Sequence, residues 1–294
     1  MFDKFKMGLL NFGLKFISVD EKIVRLFLET KPSSIKKIVI MPAVKDVMKK
    51  IVNKLKNKTI HGRVYNGFLN GIQVSVIRSL IGCPHTAITL ECFKRADVKI
   101  VIRVDVCGGI KNSSNKIDIG DIIIPNIAYC GDGTTPYYIS RYFKFFQNNN
   151  KINNPIEKFS EMGVGGKNIF ISKPNNELKE IFIKTGKNLF SDKIKQTDLW
   201  TIDALFCESE DLIEDLRKIN VGAIDMESSI LFLLGQLYNF KVVSILAVSD
   251  LPADNKYDLL KSNAIHPELE HGVNNAIKLV IESLPKIDSL LKTS

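Results

Sequence analysis

The chain has 294 residues, 45% of them hydrophobic and 25% charged, which supplies apolar material for one large core in a globular protein. The formal net charge of +9 does not read as a nucleic-acid surface, because the lysines are scattered among Asn and Ile and form no stripe interleaved with aromatics. No apolar run is long enough to span a bilayer, so a membrane-spanning helix is excluded, and the expected location is the cytoplasm. Cys83, Cys92, Cys107, Cys130 and Cys207 show neither CxxC pairing nor zinc-ligand spacing, which predicts free buried thiols in a reducing compartment and no metal site.

Residues 1–34 read as an N-terminal helical extension ahead of one domain over 35–294. Its apolar series Phe2, Phe5, Met7, Leu9, Leu10, Phe12, Leu14 and Phe16 stands among lysines. That stripe suits either an extra helix or arm packed on this domain or a sister subunit, or an amphipathic helix on a surface. It lacks the small-residue cleavage site of a secretory signal. From Ile35 onward, short β-branched runs alternate with longer mixed segments, the pattern of strands separated by helices.

The pattern predicts a strand over Ile38–Met41, a helix over Lys45–Leu55, and a strand over Gly71–Arg78 that stops at the turn Gly82-Cys83-Pro84. A helix from Thr86 to Arg95 then leads to a strand over Lys99–Val104, broken at Gly108-Gly109. The polar stretch Ile110–Gly120 reads as a surface loop before a strand over Asp121–Pro125. Beyond Tyr138 the chain turns aromatic and then Asn-rich through Asn154, as a lid-like excursion or a flexible insert does. The later elements are a helix over 176–187, a strand over Lys195–Trp200, a helix over 208–218, a strand over Gly222–Asp225, a helix over Glu227–Tyr238, a strand over Lys241–Val248 and a helix over 267–282. The fold class is therefore α/β: a single domain with a mixed, mainly parallel central sheet flanked by helices.

Three stretches end apolar runs with polar residues, where an open α/β sheet presents ligand groups at the carboxyl ends of its strands. They are Ile102–Gly109, Ala223–Ser229 and Ala247–Asp250. Glu227, at a strand-to-helix junction, has a carboxylate able to accept from two neighbouring hydroxyls, although a helix N-terminus also favours an acid for its dipole alone. Asp250 closes a Val/Ile/Leu strand, where partial desolvation raises a carboxyl pKa and lets it donate a proton; a turn aspartate before Leu251-Pro252 is the simpler alternative.

The order and spacing of these stretches resemble the nucleoside phosphorylase superfamily of purine nucleoside phosphorylases, uridine phosphorylases and related nucleosidases. The resemblance runs from Ile38 to Val280 and is joined by Gly71–Val76, Gly82-Cys83-Pro84, Gly120–Pro125 and Asp132–Tyr138. It implies that Glu227 and Met226 hold the ribose and that Asp250 protonates a departing purine base. It also implies that Phe206, in Trp200–Phe206, stacks on the base, and that Arg103 binds phosphate. Uridine-specific relatives read the uracil edge with a Gln and an Arg where this chain has Ser209 and Asp211, which favours a purine. The implied activity is reversible phosphorolysis of a purine nucleoside to base and ribose 1-phosphate. It needs no cofactor beyond inorganic phosphate as co-substrate, and assembly as a dimer or trimer of dimers is expected.

The chain departs from the family in its anion site. The Gly-Thr or Gly-Ser expected after the phosphate-binding Arg is replaced by Asp105-Val106, and the Gly-Asp-Pro-x-Arg near the first strand has become Met41-Pro42-Ala43-Val44, with Lys45 a shifted substitute. A carboxylate about 4 Å from a phosphate charge costs roughly 4 kcal/mol at a protein's effective dielectric. Four readings stay open: a phosphorylase with a remodelled phosphate site, a uridine phosphorylase, a nucleosidase in which water replaces phosphate, and a silent nucleoside-binding relative.

Overall fold

The computed structural model describes residues 17–112, 116–147, 151–156 and 167–292. The apolar series through Phe16 lies outside the described residues, as do the glycines at 163, 165 and 166. Helix α1 (Val19–Leu28) follows Ser18, whose hydroxyl caps it by accepting from the Glu21 amide. Then come β1 (Ile38–Ile40), α2 (Lys45–Val52), the strands β2 (Lys56–His61), β3 (Val64–Leu69) and β4 (Ile72–Ile77), α3 (Cys83–Lys94), β5 (Ile100–Gly109) and β6 (Ile122–Cys130). The short helices α4 (Thr135–Arg141) and α5 (Phe143–Phe146) lead into β7 (Lys151–Asn153) and β8 (Asn168–Ser172). The rest is α6 (Asn176–Phe190), β9 (Ile194–Thr201), α7 (Glu210–Lys218), β10 (Val221–Asp225), α8 (Ser228–Tyr238), β11 (Lys241–Asp250) and α9 (Pro267–Lys292).

The centre is parallel: β4–β1–β5–β11 on one side and β6–β9–β10 on the other. Two short antiparallel joints, β5 with β10 and β11 with β6, close the central strands on themselves. The joint at β5 explains the paired glycines. A Cβ on Gly108 would meet Ile224 Cγ2 at 2.9 Å and Pro252 Cγ at 2.7 Å, and one on Gly109 would meet Val248 Cγ1 at 2.7 Å. Only glycine lets the crossing strands approach this closely. Gly108-Gly109 thus ends β5 rather than breaking the strand beforehand.

The central strands are buried on both faces, so alternate residues serve two cores. Ile38, Ile40, Ile100, Ile102, Val243 and Ile245 pack with residues of α2, α6 and α9, whereas Val39, Val101, Val242 and Leu246 pack with α1, α3 and α8. Arg103, Asp105 and Ser244 continue the second face, so the polar site is set into a wall of the core.

Several expectations are corrected. The β2–β3 hairpin was not foreseen, because Lys56–His61 is exposed throughout and has no buried alternation to read. Helix α9 runs past Pro285 to Lys292, because Leu284 and Ile287 are fully buried and packing outweighs the lost hydrogen bond. The segment before β6 is less superficial than its polarity implies, since Ile110, Ile117 and Ile119 are buried. Beyond Tyr138, the described residues form helical turns and a strand paired with β8. Four of the five free cysteines are buried, but Cys207 is exposed. No helix among the described residues is long and apolar enough to cross a membrane.

Candidate active site

The site lies where the carboxyl ends of β5, β10 and β11 meet the loop after β1. A cavity of about 180 Å³ there is lined by Arg103, Asp105, Asp225, Met226, Glu227 and Asp250 among others, with Leu205, Ile224 and Leu259 as apolar wall. Four of the five residues assigned functional roles from sequence therefore share one cavity.

Arg103 is the centre of the polar network. Its Nη1 donates to Asp225 Oδ2 at 2.8 Å, its Nη2 donates to Glu227 Oε2, and Asp105 Oδ2 lies 3.9 Å from Nη2. Burial works against the guanidinium charge, but Glu227, Asp225 and Asp105 more than offset it and raise its pKa. Arg103, expected as a ligand for free phosphate, turns its terminal nitrogens to the protein's own carboxylates.

Asp225 stabilises that arrangement from below. Its Oδ1 accepts from Thr201 Oγ1 at 2.8 Å, and its Oδ2 accepts from the Ser228 amide at 3.0 Å and the Ser228 hydroxyl at 2.6 Å. Ser228 Oγ also lies 2.8 Å from Ser244 Oγ on β11, tying three strands to the start of α8. Sequence reasoning assigned Asp225 no role. The available signal was an aspartate closing an apolar strand three residues before a serine at a helix start.

Glu227 Oε1 accepts from the Gly82 amide at 2.8 Å, which fixes the turn before α3 over the cavity. Gly82 has φ +99°, a conformation that L side chains rarely adopt, so glycine serves this turn. Burial raises the Glu227 pKa against the pull of Arg103, with Asp225 and Asp105 adding to the rise.

Asp250 is 8% exposed, and its Oδ1 accepts from the Ser249 hydroxyl at 2.5 Å and its Oδ2 from the Leu259 amide at 3.3 Å. Desolvation nevertheless raises its pKa. Glu208 lines the same end of the cavity, and burial, reinforced by Asp250 and Asp258, pushes it up to about 8. Nothing in the local sequence distinguishes Glu208 from its acidic neighbours Glu210 and Asp211, because its partial burial and the carboxylates acting on it, Asp250 and Asp258, come from residues distant in sequence.

Asp105 is 1% exposed. Its Oδ2 accepts from the amides of Ala43 and Val44 in the loop after β1, and its Oδ1 accepts from the Val106 amide at 3.1 Å. The loop is held by the Met41 amide donating to Ile102 O at 2.8 Å and the Ser79 amide donating to Pro42 O at 3.0 Å. Burial raises the Asp105 pKa, opposed by Arg103 and by these amides.

Phe206, expected to stack on a base, stands 86% exposed and outside the cavity lining. The short 3-10 turn Leu205–Cys207 turns Leu205 inward and Phe206 outward. Ser209 and Asp211 also lie elsewhere, lining a neighbouring cavity with Cys207 and Leu212.

One group of possible metal donors exists among the described residues, Cys83, Asp132 and Asp203, with one ligand atom each within 4.8 Å of the others. Its chemistry fits a structural hub better. Asp132 accepts from the amides of Thr134 and Thr135 and the hydroxyls of Thr135 and Ser229, and burial raises the Cys83 thiol pKa well above its ordinary value, disfavouring the thiolate a metal needs.

Residues 37–285 match the family model of the Phosphorylase superfamily. The chain is 25% identical over 241 residues to a purine nucleoside phosphorylase (DeoD-type) of Buchnera aphidicola subsp. Baizongia pistaciae, covering 82% of this chain and 85% of that protein. It is 23% identical over 277 residues to a uridine phosphorylase of Thermococcus kodakarensis, covering 91% and 92%. Among solved structures it resembles the 5′-methylthioadenosine/S-adenosyl homocysteine nucleosidase of Campylobacter jejuni, with a TM-score of 0.62, 16% identity and coverage of 85% and 99%. The fold and the matched span define the class as an α/β enzyme family acting on nucleosides. The chain belongs to the phosphorylase superfamily.

Proposed function

We propose that this protein cleaves the N-glycosidic bond of a purine nucleoside, with Glu227 and Met226 on the ribose and Asp250 as the acid that protonates the leaving base. The observation that carries this reading is the meeting of all three side chains in one cavity, where desolvation raises the Asp250 pKa in the direction a proton donor requires. As the bond breaks, the sugar gains oxocarbenium character and the base takes the bonding electrons, so protonation of the base and carboxylates beside the sugar both stabilise the transition state.

A purine is supported over uracil because the two positions that read a uracil edge, Ser209 and Asp211, do not line this cavity, whereas Glu208 does. The apolar surface for the base comes from Leu205 and Leu259. The acceptor of the sugar is inorganic phosphate in a phosphorylase and water in a nucleosidase. Assembly as a homo-oligomer belongs to the same reading.

The test is base release from inosine, adenosine, guanosine and uridine, each with and without millimolar phosphate. Release from a purine nucleoside under either condition is the expected result. Release from uridine alone would replace the purine reading, and no release from any of the four would overturn it.

A further inference from the structure

We infer that Asp105 fills the anion position of this site with the protein's own carboxylate and acts as general base toward water, making the enzyme a nucleoside hydrolase independent of phosphate. The inference rests on the reading of the cavity as a nucleoside site. It is carried by a built feature: three backbone amides, those of Ala43, Val44 and Val106, converge on one buried side chain beside Arg103. Converging amides next to a guanidinium are the parts of an anion cradle. Here the anion is covalently attached.

A tethered carboxylate already seated in such a cradle outcompetes a dissolved ion, because its translational freedom is lost once, on folding, and not again on each binding event. Phosphate would also have to displace Asp225 and Glu227 from the terminal nitrogens of Arg103. It would then face Asp105, Asp225 and Glu227 with one buried guanidinium to compensate. The same crowd of carboxylates suits a cationic sugar.

Water needs a proton acceptor that phosphate does not. Asp105 Oδ2 is engaged by two amides, but Oδ1 accepts only the Val106 N–H among the described residues, so this oxygen keeps acceptor capacity in a residue that lines the cavity. Burial raises the affinity of this carboxyl for a proton, in the direction a base requires.

In the step itself, the water oxygen forms a bond to C1′ of the ribose while its proton passes to Asp105 Oδ1. The C1′–N9 bond breaks and its electron pair stays with the purine, which takes a proton at N7 from Asp250. The products are free ribose and free base. Asp105 is then protonated and Asp250 ionised, and exchange with solvent restores both. No electrons are transferred to or from the protein.

The alternative is that Asp105 only pins the loop after β1. The deciding experiment uses the wild-type protein with inosine, adenosine and guanosine, at zero and ten millimolar phosphate, quantifying base, ribose and ribose 1-phosphate. We expect equal base release within about twofold in both, free ribose in one-to-one ratio with base, and no ribose 1-phosphate. Ribose 1-phosphate formed only with phosphate would overturn the hydrolase inference and leave the cleavage reading standing. No base release at all would overturn both.

Two variants separate the base from the pin. Asp105→Asn should lower base release at least a hundredfold while nucleoside binding by calorimetry stays within about threefold. Asp105→Gly should recover part of the lost rate in formate, which restores a carboxylate but cannot restore a covalent pin. Unchanged release by Asp105→Asn would overturn the base role, as would a soluble, nucleoside-binding Asp105→Gly indifferent to formate.

Discussion

At the scale of single residues, the site is governed by how five carboxyls are placed about one guanidinium. Asp225, Glu227 and Asp105 face Arg103, whereas Asp250 and Glu208 sit at the other end of the cavity without a cation of their own. That separation sets the causes apart: near Arg103 the guanidinium opposes the rise that burial gives Glu227 and Asp105, whereas no cation opposes it at Glu208, which is pushed up to about 8. Asp250→Asn is expected to lower base release by about 10²–10⁴-fold with nucleoside binding little changed, measured by steady-state kinetics and calorimetry on the same preparation. An equal loss in binding would instead assign Asp250 to substrate positioning.

Glu208 makes a pH prediction of definite sign. Its folded pKa of about 8 lies above the unfolded value of 4.5, so it contributes stability that is present below about pH 4.5 and lost as pH rises through about 8. Glu208→Gln removes that titration. The melting temperature of the variant should therefore rise relative to wild type between about pH 5 and pH 8.5, and a constant difference across that range would show that Glu208 is not held protonated by the fold.

At the scale of elements, the close contact of α8 with β11 places Ser228 against Ser244 and thereby aligns Asp225 under Arg103. Gly235, on α8, makes the approach possible: an added Cβ would meet Val242 Cγ1 at 2.7 Å, with Cγ2 closer still. Gly235→Ala is expected to destabilise the protein by about 1–3 kcal/mol through overpacking. Urea unfolding measures this, and a loss below about 0.5 kcal/mol would mean that α8 shifts freely. If the helix shifts instead, the Ser228–Ser244 contact should suffer and base release should fall with it.

At the scale of the whole molecule, the structure leaves apolar side chains in solvent around the site-bearing face and beyond it. Ile81 lines the cavity and is half exposed, and Phe27, Ile88 and Tyr137 line a groove together with Tyr138 and Tyr142. Exposure of this kind fits association between copies. Sedimentation at micromolar concentration should therefore show a homo-oligomer; a single monomeric species would remove this expectation.

The alternation of β-branched runs with amphipathic segments determined the α/β class and placed most of the strands and helices within a few residues, because burial on both sheet faces demands it locally. The ends of β5, β10 and β11 were legible as site-bearing for the same reason: polar residues interrupted apolar runs at Arg103, Glu227 and Asp250. What only the tertiary structure decided was which charges meet. Neither the enclosure of Arg103 by Asp225 and Glu227, 122 and 124 residues away in sequence, nor the capture of Asp105 by the amides of Ala43 and Val44 has any local pattern. The outward turn of Phe206 and the half-burial of Glu208 belong to the same class. Desolvation and Coulomb interaction depend on distance in space, and distance in space is set by the closure of β5 onto β10 and β11, not by spacing along the chain.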